Sequence, residues 1–269
     1  MKGRKDPLLV LVFILIIAAL YYFYSEDKNS IDTGEYRVIE VLDGDTVIIN
    51  DARHSSVRYL GIDTPEVSRK DSPGEPMAEE AREFNEDLVE DKNIKLEFDD
   101  EKYDVYGRML AHVYVDGVFV NLELLREGLA TDMIIEPNFK HAGSIYSAQN
   151  EAKKHKRGIW GDLRTLKDPP GNRKHLIELS KAHLYAGKRV VAEGKITKTR
   201  KSDKLIVLEM DERLDVKIFE SDWSNFSYFG IVPDTDYKDK RIRVTGRVKI
   251  YKGTPGIVVG HPIAIKVIE

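Results

Sequence analysis

Cysteine is absent from all 269 residues. That excludes disulfides, thiolate zinc sites and cysteine nucleophiles, and leaves stability to packing and bound ions. A phosphate-cradling glycine loop of the G-x-x-x-x-G-K type is also missing, which argues against a nucleoside triphosphate substrate. Seven histidines occur, His54, His112, His141, His155, His175, His183 and His261. None shares the spacing that sets two imidazoles on one helix face, so they read as surface or packing residues. No internal repeat or low-complexity run interrupts the chain. What is there, 42% hydrophobic and 33% charged residues, is the composition of a globular protein long enough for two domains.

The net charge of −4 conceals an asymmetry. Residues 1–170 hold 22 basic and 33 acidic side chains, net −11, whereas residues 171–269 hold 20 and 13, net +7. An acidic front half tolerates a bound cation, and a basic rear half attracts a polyanion.

Lys2, Arg4 and Lys5 precede Leu8 to Tyr24, 17 residues without a charge or a helix breaker. At 1.5 Å per residue this run spans about 25 Å as a helix, the short end of a membrane crossing. The basic flank orients its start toward the cytoplasm, and Tyr21, Tyr22 and Tyr24 suit an interfacial aromatic belt. The run exceeds the usual apolar length of a signal peptide, and Ala18-Ala19-Leu20-Tyr21 makes a poor cleavage site. The sequence therefore predicts a single-pass anchor in the cell membrane with everything after Ser25 outside; secretion after cleavage is the alternative.

From Tyr36 the pattern changes to strands, predicted at Tyr36 to Val41, Thr46 to Asn50, Val57 to Leu60, Ile94 to Phe98 and Met109 to Val115. Helices are predicted from Pro76 to about Val89, from Asn121 to Gly128 and from Ala142 to about Lys156. Five strands and three helices in this order describe a small closed barrel with helical packing. Pro169, Pro170 and Gly171 mark a linker. Beyond it the sequence predicts a helix at His175 and then strands at Arg189 to Thr197, Leu205 to Met210, Leu214 to Phe219, Arg241 to Ile250 and Ile257 to Val267. Trp223 to Phe229 bridges the third and fourth of these, which is the order of an OB-fold, a barrel type that commonly binds oligonucleotides. The expected class is thus α+β and mainly β. It comprises an anchor or signal segment at 1–25, a tether at 26–34, a first barrel at 35–166, a linker at 167–174 and a second barrel at 175–269.

Three short strings stand out in the first barrel. Asp43-Gly44-Asp45-Thr46 is by default a hairpin turn, yet Asp45 opens a strand against its propensity, which makes it a candidate ligand. Asp63-Thr64-Pro65-Glu66 has a plain reading as a helix start, with Thr64 as cap and Pro65 in the first turn. Arg58, five residues before Asp63, alternates away from Val57 and Tyr59, so it points to the same side as those carboxylates if the barrel curls. Tyr106-Gly107-Arg108 by itself reads as a turn and a solvated arginine.

Taken with Val41-Leu42 before the first string and Val47 after it, Arg58 to Glu66, Tyr106 to Arg108, Asn121, Gly128-Leu129-Ala130 and Gly158-Ile159-Trp160, the region from Tyr36 to Trp160 resembles the thermonuclease (staphylococcal nuclease) family in order and spacing. The resemblance implies a five-stranded OB-type barrel with three helices, and a calcium-dependent phosphodiesterase acting on DNA and RNA. It implies that Asp45, Asp63 and the main-chain carbonyl of Thr64 hold Ca2+, and that Arg58, Glu66 and Arg108 are catalytic. Carboxylate and carbonyl oxygens suit a hard cation. Two guanidiniums suit the negative charge that builds on a phosphodiester under attack by water. This sequence departs from the family pattern where a lysine before Tyr-Gly-Arg and tyrosines after Gly-Leu-Ala grip the nucleotide: Val105 and Thr131-Asp132-Met133-Ile134-Ile135 stand there instead.

In the rear region, Arg241, Arg243, Arg247 and Lys249 alternate onto one strand face, either a solvated face or, with Tyr251, a groove that tracks a single strand. The reading is an exported, membrane-anchored nuclease whose partner is nucleic acid, single-stranded regions above all, without a small-molecule cofactor. The competing reading is a non-catalytic nucleic-acid-binding protein built on two such barrels.

Overall fold

β1 (Ile31–Asp43), β2 (Thr46–Ile49) and β3 (Ser56–Tyr59) form an antiparallel meander. Apolar residues on these strands supply the inner face, so Val38, Val41, Val47, Ile49, Val57 and Tyr59 are all buried. A short β4 (Gly61–Asp63) follows, then α1 (Ala78–Val89), β5 (Asn93–Glu97), β6 (Met109–Val115) and β7 (Val118–Phe119). β5 pairs antiparallel with β1 and β6, and β3 pairs parallel with β6. These pairings close a five-stranded ring in the order β1-β2-β3-β6-β5. α2 (Val120–Arg126), β8 (Thr131–Met133) and α3 (Ala142–His155) complete this half, with β8 pairing to β4 in a two-stranded sheet that the sequence pattern did not predict. This computed structural model describes residues 31–268, so the predicted membrane span at Leu8–Tyr24 lies outside the described residues. Among the described residues no helix is long and apolar enough to cross a membrane.

The second half repeats the same ring. β9 (Arg189–Lys201), β10 (Leu205–Met210) and β11 (Leu214–Phe219) form a meander, followed by α4 (Trp223–Tyr228), α5 (Pro233–Asp236), β12 (Arg241–Tyr251), β13 (Thr254–Val258) and β14 (Ile265–Val267). β9 pairs with β10 and β12, β12 with β13, and β11 runs parallel to β13, giving the order β9-β10-β11-β13-β12. Two expectations are corrected. The approach to β9 is not an α-helix but two tighter 3-10 segments, Asn172–His175 and Leu179–Tyr185. Between them the chain is drawn out, because the Ile177 N–H donates to the Val191 carbonyl at 3.0 Å. The last strand is broken by a 3-10 turn at Pro262–Ala264, where Pro262 has no N–H to continue a ladder.

The two barrels are packed against each other. Gly128 lies at φ +68°, and a Cβ there would sit 2.2 Å from the Arg157 carbonyl oxygen; at Gly158 a Cβ would sit 2.1 Å from that of Gly128. Only paired glycines allow this crossing, and it holds Ile159, whose N–H donates to Gly128 O at 2.8 Å. The crossing delivers the buried Trp160 to the second barrel, where its ring meets Tyr228 and His261 edge-on at 5.4 and 4.7 Å. The one Tyr228 hydroxyl hydrogen is shared between the carbonyls of Lys153 (2.7 Å) and Trp160 (3.1 Å). The predicted linker also takes part. Asn172 is buried and exchanges two hydrogen bonds with the Gly74 backbone, N–H to Oδ1 at 3.1 Å and Nδ2 to O at 2.8 Å.

Candidate active site

The site is built around the β1–β2 turn. A Cβ on Gly44 would lie 2.8 Å from both Ala81 Cβ and Thr64 Cγ2, so glycine is what lets the turn lie against α1 and the Thr64 loop. That approach lets Asp45 Oδ2 accept from the Thr64 N–H at 2.9 Å and the Thr64 hydroxyl at 3.0 Å, while Oδ1 accepts from Thr46 Oγ1 at 3.0 Å. Asn85 of α1 fastens the other side, donating to the Asp43 carbonyl and accepting from Tyr59 Oη.

Arg58 projects from β3 into this turn and is buried. Its Nη1 donates to Tyr59 O (2.9 Å) and Ile62 O (2.8 Å) and lies 3.1 Å from Asp45 Oδ2; its Nη2 donates to Asp63 Oδ1 at 2.8 Å. Asp63 ends β4, where it pairs with Thr131. No helix begins at Thr64, so the plain capping reading does not hold: the chain runs on irregularly to α1 at Ala78. Glu66 is half-buried in that loop. Its N–H donates to Glu75 Oε2 at 3.1 Å, and the Glu75 N–H returns a bond to Glu66 O at 2.8 Å.

The structure thus gathers Asp45, Arg58, Asp63, Thr64 and Glu66 around one turn. Arg108 stands apart. The β3–β6 register sets Arg58 beside Leu110, which places Arg108 on the neighbouring strand approach, but its Nε donates to Asp104 Oδ2 at 2.7 Å and its guanidinium lies 5.7 Å from the Tyr106 ring. At 36% side-chain exposure it faces solvent and pairs, among the described residues, with Asp104 alone. Val105 and Tyr106 beside it are 93% and 82% exposed.

Negative charge dominates the cluster. Burial, with Asp45 and Glu66 as like-charged neighbours, pushes the Asp43 carboxyl up to about 8 against the pull of the Gly44 N–H. Asp63 is also raised, by the protein crowded around it and by Asp45, Glu75 and Glu66, with Arg58 opposing; 53% of its side-chain surface nevertheless remains open. Such a set suits a hard divalent cation. The carboxylates of Asp45 and Asp63 and the Thr64 carbonyl are oxygen donors of the type calcium takes, with water completing the shell. Among the described residues no group of three or more His, Cys, Asp or Glu side chains forms a ready cage.

Three members were not singled out from sequence. Asp43 is hidden in its role as a turn residue, although the doubled Asp-Gly-Asp was a usable signal. Glu75 carried no signal, and Arg189 lies in the other barrel. Arg189 Nη2 sits 3.0 Å from Glu75 Oε1, both side chains being largely buried, so the second barrel reaches the loop that carries Glu66. A cavity of about 150 Å³ lies here, between Asp63–Glu66 and the Val258–Ala264 region.

The predicted basic face of β12 is divided rather than continuous. Arg243 is spent on Glu193 (2.6 Å) and Asp168 (2.9 Å), Arg247 opens onto the space between the barrels, and Lys249 lies with Tyr251 in a separate groove of about 670 Å³. That groove also exposes Phe219 and Ile250 beside Arg200, Lys217 and Lys252, and the ammonium groups of Lys217 and Lys252 lie 5.1 and 5.4 Å from the Tyr251 ring centroid.

Residues 56–162 match the sequence model of a family described as staphylococcal nuclease homologue. The thermonuclease of Staphylococcus hyicus is 32% identical over 169 residues, covering 60% of this chain and all of that protein. The thermonuclease of Staphylococcus intermedius is 36% identical over 166 residues, covering 60% of this chain and 99% of that protein. Endonuclease YncB of Bacillus subtilis (strain 168) is 43% identical over 122 residues, which is 44% of this chain and 58% of that protein.

Proposed function

The chain belongs to the family of staphylococcal nuclease homologues, and from that premise we propose that it hydrolyses phosphodiester bonds of DNA or RNA at the Arg58–Glu66 turn. It is a nuclease, and the observation that carries the assignment to this turn is Arg58 buried between Asp45 and Asp63 with Glu66 in the same loop.

Arg58 and Arg108 bind the non-bridging oxygens of the scissile phosphate. Being charged at every accessible pH, they neutralise charge that accumulates there without themselves losing a proton. Glu66 orients the attacking water and takes its proton as the new P–O bond forms and one ester P–O bond breaks; the departing oxygen is protonated from solvent. Asp45, Asp63 and the Thr64 carbonyl would hold calcium, which when bound would supply a further positive charge beside the phosphate. Arg108 reaches the phosphate by leaving Asp104. The exposed Tyr106 is placed to stack on a base, a contact that substitutes for the lysine and tyrosines this chain lacks.

The groove of Phe219, Tyr251 and the surrounding lysines supports a second, non-catalytic hold on a single strand. The basic-flanked run Leu8 to Tyr24 supports export and attachment to the cell membrane.

The test is hydrolysis of a labelled single-stranded DNA with calcium, with chelator, and with Arg108→Ala. Cleavage that needs calcium and falls on the order of 10²–10³-fold in the variant supports the reading. Binding of the strand without cleavage under every condition would replace it with a nucleic-acid-binding protein on a nuclease scaffold.

A further inference from the structure

Between the barrels, beside the small cavity at Asp63–Glu66, opens a cleft of about 830 Å³. Six cationic side chains line it: Arg69 and Lys70 from the first barrel, Lys174, Lys188, Arg189 and Arg247 from the second. The acidic residues on its wall are Asp71 and Glu66. In a protein of net charge −4 this is a local excess of the opposite sign. Among the described residues Lys70, Lys174, Lys188 and Arg247 form no ion pair, unlike Arg243 and Lys266, which share Asp168 nearby. Arg189 forms the partition between cleft and cavity. Its Nη2 forms an ion pair with Glu75 Oε1 at 3.0 Å, and among the described residues its buried Nε has no hydrogen-bond partner, a donor that an incoming oxyanion would satisfy.

We propose that this cleft binds the backbone of one nucleic-acid strand and feeds it to Glu66, so that the second barrel takes part in substrate positioning; the proposal rests on the nuclease reading above. Cations stand on both walls, so a single backbone lying between them meets charge on either side. The half-buried Tyr185 and the 45%-exposed Leu176 offer apolar surface to bases. The cleft has the capacity of a drug-sized site, suited to a short run of nucleotides and too small for a duplex.

The experiment measures binding of the full chain to a fluorescent oligothymidylate by anisotropy, in chelator and over a series of salt concentrations. The wild type is compared with the triple variant Lys174→Ala, Lys188→Ala, Arg247→Ala. These side chains are exposed and form no ion pair among the described residues, although Arg247 donates to the Gly187 carbonyl, and a thermal melt matching wild type shows that the variant is folded. Each phosphate contact to a single strand contributes about 0.7 to the slope of log K against log salt. The variant should therefore show a slope shallower by about 2 and an affinity lower by roughly tenfold or more. Unchanged slope and affinity overturn the proposal, as does a duplex of the same length that binds the wild type as tightly and loses as much in the variant. Because binding is read without turnover, the outcomes separate. A strand bound through the cleft but never cut with calcium refutes the nuclease reading alone. A strand cut equally by both proteins with identical slopes refutes the cleft alone.

Discussion

Replacing Arg58 by lysine preserves the charge and removes the fork. In the structure Nη1 donates to Tyr59 O and Ile62 O and Nη2 to Asp63 Oδ1, while Asp45 Oδ2 lies 3.1 Å from Nη1 as an ion-pair partner. A lysine ammonium is a single nitrogen and cannot stand where both Nη1 and Nη2 do. At least one buried acceptor is left without a partner, at a cost of about 1–3 kcal/mol. For a chain of this size each kcal/mol lowers the melting temperature by about 2–4 °C, so the variant should melt several degrees below wild type. If Arg58 also meets the phosphate in the transition state, kcat falls a further 10²–10³-fold, or about 2.7–4 kcal/mol. Thermal unfolding followed by circular dichroism reads the first effect and single-turnover hydrolysis the second. Arg58→Lys with an unchanged melt and a rate within twofold of wild type would show that no bidentate clamp is needed, and would refute both parts.

Gly44→Ala forces a methyl group to within 2.8 Å of Ala81 and Thr64 and should destabilise by about 1–3 kcal/mol, read as a lower denaturant midpoint, with activity falling as Thr64 is pushed from Asp45. Burial by itself would raise the Glu97 carboxyl, but hydrogen bonds from Lys140, Tyr114 and His141 overcome it and hold the group down to about 2. A depressed native value means that this contribution is present above the ordinary glutamate value and is lost as pH falls through the range from about 4.5 to about 2. Denaturation at fixed pH across that window should show a shallower acid decline in Glu97→Gln than in wild type. Asn172→Ala removes the paired bonds to Gly74 and leaves a buried backbone N–H and carbonyl unpaired. It should speed proteolytic nicking between residues 166 and 175, and a wild-type digestion rate would show that the strap does not depend on this side chain.

Most of the first barrel could be read directly, because its strands are short apolar-polar alternations separated by Asp-Gly turns and its helices carry one apolar face. Asp45, Arg58, Asp63, Thr64 and Glu66 were legible as a group because they fall within a short stretch of chain joined by one hairpin. Arg108 was legible as a residue but not as a geometry, since nothing local reveals that Asp104 holds it. Local pattern at 175–185 predicts a helix, but the bond from the Ile177 N–H to the Val191 carbonyl draws the chain out and leaves only 3-10 turns on either side.

Local pattern by itself determined the succession of most strands along both barrels and the turn that carries the carboxylates, and motif spacing carried the resemblance to the family, since each depends on alternation, turn chemistry and spacing over tens of residues at most. Only the tertiary structure decided that Trp160 is a plug between barrels, that the proline-rich segment is a strap, and that Arg189 meets Glu75 across more than a hundred residues of chain. Those contacts depend on how two closed surfaces dock, and docking is set by the summed shape and charge of residues far apart in sequence, which no window along the chain contains.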